Sequence, residues 1–217
     1  MAYQLRNGLS WCEIAHHVLF LDLPQDRYFC LSGTAADAFR AAAQGNNLDG
    51  VQARAAEQLV HLDIIRVSDQ REIPQACQNP LPLRTWPADT LSIRDIGAVI
   101  WRYSGARTAL LHTGLQAVLT KLSRCKRLDA SSDSTCRAIG SVTTAVRMLS
   151  WFRSSREHCL PRAIALAHVL AARGVPANLV IGVSLHPFRA HAWVQVDDAV
   201  ICDDVDIVRL YAPILVV

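Results

Sequence analysis

The sequence has no C-x-x-C pair, no glycine-rich phosphate loop and no apolar run long enough to cross a bilayer. Each absence removes a class. Without paired cysteines a zinc site is not expected, although seven cysteines are present. Without a phosphate loop the chain has no visible nucleotide chemistry of its own. The net charge is only +3 and the basic residues are scattered, so the dense footprint of a nucleic-acid binder is missing too. An odd, dispersed set of cysteines with no signal peptide fits reduced thiols in the cytoplasm. What is abundant is apolar residue, 51% of 217, enough for one large core or two small ones.

The stretch from Cys159 to Asp204 carries the chemistry. Leu160, Ala163, Ile164, Ala167, Leu170 and Ala171 recur at helical spacing. Leu166 and Val169 make the other side apolar, which predicts a helix buried nearly all round. Pro161 fits only a first turn, Gly174 fits a C′ position, and Pro176 ends the run. Cys159 therefore stands at the helix amino end. Unpaired N–H groups and the helix dipole favour an anion there, and so favour a thiolate. Asn178–Leu185 reads as a buried strand. Ala190–Val196 and Ala199–Asp203 read as a hairpin about Asp197-Asp198. A cysteine opening a helix, a histidine opening a strand and an aspartate closing the next strand is one way to build a Cys-His-Asp nucleophilic site.

Register matters to that reading. A two-residue loop places His191 opposite Asp204 and turns Asp203 to the other face. An odd-length loop puts His191 and Asp203 on one face. The site requires the odd loop, or else Asp204 as the acid. Among other histidines, His168 lies on the opposite side of the helix from Cys159 and reads as structural. His158 adjoins the cysteine and is placed to bias its charge. His186, before Pro187, is the alternative base. The bland reading of a lone cysteine at a helix start is structural, and only the three residues in order argue otherwise.

Cys-Leu-Pro-Arg-Ala-Ile-Ala-Leu from Cys159, Arg-Gly-Val-Pro-Ala from Arg173, Leu-Val-Ile-Gly-Val from Leu179 and Ala-His-Ala-Trp-Val-Gln-Val-Asp from Ala190 resemble the lasso-peptide biosynthesis B proteins. These are leader peptidases of the transglutaminase-like, papain-related cysteine protease superfamily. The resemblance covers about the last third of the chain. It implies Cys159 as nucleophile, His191 as base and Asp203 as orienting acid. The chain departs from the usual pattern at Cys202, where asparagine is common, and at Gln195, where glutamate is common. Cys202 is expected to face away from Asp203.

The front of the chain reads as a module of its own over residues 1–72. Tyr3–Arg6, Trp11–Ile14, His17–Leu23 and Arg27–Leu31 look like short strands. Ala35–Ala43 follows as a helix with Thr34 as N-cap, then a helical region over Leu48–Leu62 and a returning strand at Ile64–Val67. Strands followed by helices suggest a winged-helix-like module. Arg54 is the only Lys or Arg in its second helical region, which argues against DNA. The family resemblance implies a recognition element that captures a leader peptide by strand addition. The edge would be Arg27, Tyr28, Phe29, Cys30 and Leu31. Residues 73–90 hold Pro74, Pro80, Pro82 and Pro87 and read as a linker. From Leu91 to Val217 the second domain begins with helices over Ile93–Tyr103, Leu110–Leu122 and Cys136–Phe152, with a polar loop at Ala130–Ser134.

The expected fold class is therefore α+β, a winged-helix-like peptide-recognition module followed by a transglutaminase-like protease domain. The resemblance implies a cysteine peptidase acting on the leader of a lasso precursor peptide. It also implies an asparagine-synthetase-like macrolactam synthetase as partner, and no metal or cofactor for the cleavage itself. Three rivals stand beside this: an acyl transferase or amidase on the same fold, a non-catalytic peptide-binding scaffold, and a winged-helix regulator.

Overall fold

The computed structural model describes residues 2–69, 73–78, 82, 84–87, 92–125, 132–150 and 158–217. The chain divides into two compact units, Met1–Gln78 and Asn79–Val217.

The first unit is α+β. Strands β1 (Ala2–Leu5), β2 (Leu9–Ile14), β3 (His17–Asp22) and β4 (Arg27–Leu31) precede helices α1 (Gly33–Gln44) and α2 (Gly50–His61) and strand β5 (Ile65–Ser68). β2, β3 and β4 form an antiparallel meander with β4 at an edge, and β1 pairs with β5. Alternation on β3 sends Phe20 inward, where it stacks on Phe29 at 4.8 Å and meets the Phe39 ring of α1 edge-on at 4.9 Å. Buried Asp22 is held by Arg6 Nη2 at 2.6 Å, which meets the cost of a carboxylate with no exposure. α2 starts in a capping box, with Asp49 accepting from the Gln52 N–H and Gln52 reaching back. α1 differs from expectation. It begins at Gly33, Ser32 occupies the N-cap without a side-chain bond, and Thr34 lies inside the first turn.

The proposed linker over 73–90 is not free at either described end. Ile73 packs in the core of the first unit, the Trp11 indole N–H donates to the Pro74 carbonyl at 2.9 Å, and the Cys77 N–H donates to Trp11. At the other end Arg84–Thr85 (β6) pairs in the second unit's sheet. Proline was expected to forbid regular pairing. Pro82 and Pro87 flank the two-residue strand instead of interrupting it, and β6 is an edge strand, where proline nearby is tolerated.

The second unit packs three long helices, α3 (Ile93–Cys125), α4 (Ser132–Ser150) and α5 (Cys159–Ala171), with a five-stranded sheet. Sheet order is β10-β7-β8-β9-β6, from β7 (Asn178–Leu185), β8 (Phe188–Val196), β9 (Ala199–Ile201) and β10 (Ala212–Val216), with the short helix α6 (Val205–Val208) before β10. Only the β6–β9 pairing is parallel. Two expected helices in the 93–122 region are one continuous run through 104–109. Its break falls later, at Gly114, with φ 77 and ψ 169, a conformation open to glycine alone. The polar loop expected at Ala130–Ser134 is helical from Ser132; Ala130 and Ser131 lie outside the described residues.

α5 is buried as its composition predicts. Pro161, Ala163–Ala167 and Val169–Ala171 are all buried, and Ile164 and Leu170 fully so. Burying each large aliphatic side chain is worth about 1.5–3 kcal/mol, so the helix that starts at Cys159 is anchored by its own length. Gly174 takes φ 73 just past its end, as expected. The β7 strand beneath has its own constraint. A Cβ at Gly182 would lie 2.7 Å from Trp193 Cζ3 and 2.9 Å from Tyr211 Cβ. Gly182→Ala is expected to destabilise by about 1–3 kcal/mol through overpacking. A thermal melt should then show Tm lowered by several degrees, and an unchanged Tm would contradict the packing described.

Candidate active site

Three elements converge. α5 delivers Cys159 at its first turn, β8 delivers His191, and the segment after β9 delivers Asp203. Asp203 Oδ2 lies 2.8 Å from His191 Nε2. That leaves Nδ1 of the imidazole for the Cys159 sulfur, with which His191 is in hydrogen-bond contact. A second donor reaches the sulfur from the sheet: the backbone N–H of Ala192. His191 and Asp203 side chains are 15% and 11% exposed, so the pair is largely shielded from water.

The route by which Asp203 reaches His191 differs from either sequence alternative. The hairpin loop is two residues, with Val196 opposite Ala199, and the register runs on to Val194 opposite Ile201. Continued, it would place Asp204 opposite His191. Instead the ladder stops at Ile201, and Cys202 adopts a left-handed φ of 61. One residue of reversed backbone re-aims the next side chain, and Asp203 swings onto the imidazole. Asp204 is the N-cap of α6, accepting from the Asp206 N–H at 2.9 Å, and is not the histidine's acid. Cys202 points away, with its thiol directed to the Thr143 carbonyl at 3.4 Å, and burial pushes its pKa up to about 12. Gln195 is buried and donates to the Asp197 carbonyl at 2.8 Å, closing the hairpin turn.

The electrostatics favour a charged pair. Burial pushes the Cys159 thiol up. The His191 hydrogen bond, the Ala192 N–H and the charges of His191 and Arg162 outweigh that and hold it below its ordinary value. Burial alone would pull His191 down. Its bonds and attraction to Asp203 and Cys159 raise it to about 9 instead. A lowered thiol beside a raised imidazole shifts the pair towards its thiolate–imidazolium form.

Arg162 was missed in the sequence. It lies three residues after Cys159, a spacing that puts both on one helix face. Its Nη2 lies 3.7 Å from Asp203 Oδ2, while Asp203 Oδ1 accepts from the Asp204 N–H at 2.9 Å. Tyr211 was also missed, since nothing local marks it. Its ring sits 5.2 Å from His191, and Trp193 stacks near the imidazole at 6.1 Å.

The remaining histidines do other things. His158 occupies the α5 N-cap position without capping it and bonds Tyr103 Oη through Nδ1 at 2.7 Å, which ties the helix start to α3. His186 is exposed in the turn between β7 and β8, away from the sulfur. His168 is half-buried beside a cavity of about 350 Å³ with Arg102 and Lys121, and burial and those cations lower its pKa. The Cys159 N–H stands at the first position of α5. Trp151, Phe152 and Arg153, just before the site in sequence, lie outside the described residues. Among the described residues no group of three or more His, Cys, Asp or Glu could hold a metal ion, and no helix is long and apolar enough to cross a membrane.

The five residues Arg27, Tyr28, Phe29, Cys30 and Leu31 lie together on edge strand β4 of the first unit. Arg27 sits over the Phe29 ring at 5.8 Å, and Cys30 is exposed.

Comparison with known proteins places residues 99–216 in a match to the transglutaminase-like superfamily. The chain is also similar to the microcin J25-processing protein McjB of Escherichia coli, 44% identical over 48 residues. That match spans 22% of this chain and 23% of that protein's length. No solved structure matches the chain.

Removing the carboxylate should dismantle the charged pair in a stated direction. In Asp203→Asn the imidazolium loses its anionic partner, so His191 falls and the Cys159 thiol rises. Alkylation of Cys159 by iodoacetamide at pH 6–7 should slow by about tenfold or more, with the loss shrinking as pH rises towards 9. Arg162→Gln should move the same profile in the same direction by less. A profile unchanged in both variants would contradict the assignment.

Proposed function

The chain belongs to the transglutaminase-like superfamily. From that premise we propose that it is a cysteine peptidase that cuts a lasso-type precursor peptide between leader and core. The observation that carries the reading is the Cys159–His191–Asp203 contact set, with 2.8 Å between imidazole and carboxylate. The likeness to a microcin-processing protein supports the substrate class.

In the proposed reaction the Cys159 thiolate attacks the carbonyl at the leader end. The oxyanion that forms is met by the Cys159 N–H at the helix start. His191, already protonated, gives its proton to the leaving amine as the C–N bond breaks. It then takes a proton from water as that water attacks the thioester, and the leader leaves with a free carboxylate. Asp203 keeps the imidazole oriented through Nε2 and stabilises its positive form. The core leaves with a free amine. An asparagine-synthetase-like partner would close that amine onto an acidic side chain, outside this chain's own chemistry.

The first unit, in this proposal, holds the leader. Its β4 edge offers a template for strand addition over Arg27–Leu31, where main-chain bonds supply affinity and alternate side-chain pockets supply choice. Arg27, exposed above the half-buried Phe29 ring, would meet one face of the added strand. Free cysteines throughout the described residues fit a reducing compartment such as the cytoplasm.

The test uses the full chain and a candidate lasso-type precursor peptide taken from a short reading frame near its gene. The unaltered protein should release a leader ending in a free carboxylate, read by mass spectrometry. Cys159→Ala should abolish release while still binding the leader by fluorescence anisotropy, and His191→Ala should slow it by at least about a hundredfold. Release that persists in Cys159→Ala would overturn the reading. A leader joined to an added amine would mark an acyl transferase instead.

A further inference from the structure

We propose that the groove between α3 and α5 beside His168 is a docking site for an acidic amphipathic helix of a partner protein. The proposal is independent of the peptidase reading and concerns a face which that reading does not use.

Both walls of the groove are rows at helical spacing. Gly105, Ala109 and Thr113 recur every four residues on α3, so they share one face. Past the break at Gly114 the lining continues with Ala117 and Lys121. Ile164 and His168, again four apart, form the opposing wall from α5. Buried Ala106, Val118 and Ile164 close the floor. The space between is about 350 Å³, and Gly105, Thr113 and Ala117 are exposed along it.

Gly105 is the residue that the fold alone leaves unexplained. Glycine weakens the middle of a helix, and the backbone here is ordinarily helical. A Cβ at Gly105 would meet nothing within 4 Å. Neither a left-handed turn nor a close neighbour calls for a glycine. Its bare backbone does one thing: it keeps the groove open to a close-packed second helix.

Charge then selects the occupant. α3 carries Arg94, Arg102, Arg107, Lys121 and Arg124 against a single acid, Asp95. Asp95 is buried and bound by Arg173. Among the described lining residues Arg102, Lys121 and His168 are basic and none is acidic. At the rim Trp101 is 70% exposed, with the Arg102 guanidinium over its ring at 4.9 Å. Tryptophan and arginine are enriched among the residues that anchor interfaces. A second copy of this chain would bring like charges together on this face. Walls made of helices offer no strand edge to pair with, so the occupant must satisfy its own backbone, which a helix does. The row from Gly105 to Thr113 is about 12 Å long, about two turns of such a helix. Its apolar side chains would fill the space over Gly105 and Ala109, and its carboxylates would meet Arg102 and Lys121.

The proposal is tested on the full chain with two labelled, end-blocked synthetic helices that share one leucine stripe. One flanks the stripe with glutamate, the other with lysine. By fluorescence anisotropy the glutamate peptide should bind saturably and about tenfold more tightly than the lysine peptide, with the difference shrinking as salt rises. Gly105→Leu introduces a better helix former and fills the groove. Its Tm should hold or rise while affinity for the glutamate peptide falls about tenfold or more. With Arg102→Glu and Lys121→Glu combined, the preference should reverse to the lysine peptide, and iodoacetamide reactivity of Cys159 should be unchanged. Equal binding of the two peptides, undiminished binding by Gly105→Leu, or a preference that does not reverse would overturn the proposal. Binding to phosphatidylglycerol vesicles that Gly105→Leu abolishes would overturn it in favour of a lipid surface. A dimer of the unaltered protein, seen by sedimentation and broken by Gly105→Leu, would overturn it in favour of a second copy.

Discussion

The site depends on one imidazole held between a sulfur and a carboxylate. His191 is useful only if both its nitrogens are committed, Nε2 to Asp203 and Nδ1 to Cys159. Each commitment comes from a different part of the second unit. The buried length of α5 fixes where the sulfur is. The early end of β9 and the left-handed Cys202 fix where the carboxylate is. Trp193 and Tyr211 lie close to the ring, and the bare backbone of Gly182 makes room for both of them. A general base needs this kind of confinement, because a ring free to rotate would lose its tautomer and its aim together.

Electrostatics then turn geometry into reactivity. Burial alone would keep Cys159 a thiol and His191 neutral, the inert condition of a core cysteine. Cys12 and Cys202 show that outcome in the same chain, both pushed up to about 12. Cys159 escapes it because three positive or donating groups face its sulfur: the imidazole, the Ala192 N–H and, at longer range, Arg162. A difference of reactivity among six described free cysteines thus follows from what faces each sulfur, and burial alone does not decide it.

Much of this was legible in the residues. Pro161, Gly174 and Pro176 bracket α5, and that bracket alone puts Cys159 at an amino end. The alternating, β-branched strands put His191 where it is found. Asp203 was named through family likeness, but the path to it was not readable. A two-residue Asp197-Asp198 turn predicts the wrong face, and only a reversed φ at Cys202, a residue with no preference for it, corrects the aim. Gly114 was equally opaque, since glycine inside an apolar helical pattern signals a break only when its backbone is seen. Within residues 73–90 the pairing of Arg84 and Thr85 was opaque for a related reason: proline content marks where pairing is hard, not where a two-residue strand fits between prolines. Arg162 was legible in principle from its spacing to Cys159, and Tyr211 was not, because its nearness to His191 depends on the β10 end of the sheet.

The central claim is that the fold lowers the Cys159 thiol below the ordinary cysteine range. Ultraviolet absorbance of thiolate at 240 nm, followed from pH 4 to pH 10, tests it directly. The predicted result is a one-thiolate step below the ordinary cysteine range, present in the unaltered protein and missing in Cys159→Ser. A titration in which every thiol ionises at or above that range, with Cys159→Ser no different below it, would contradict the account.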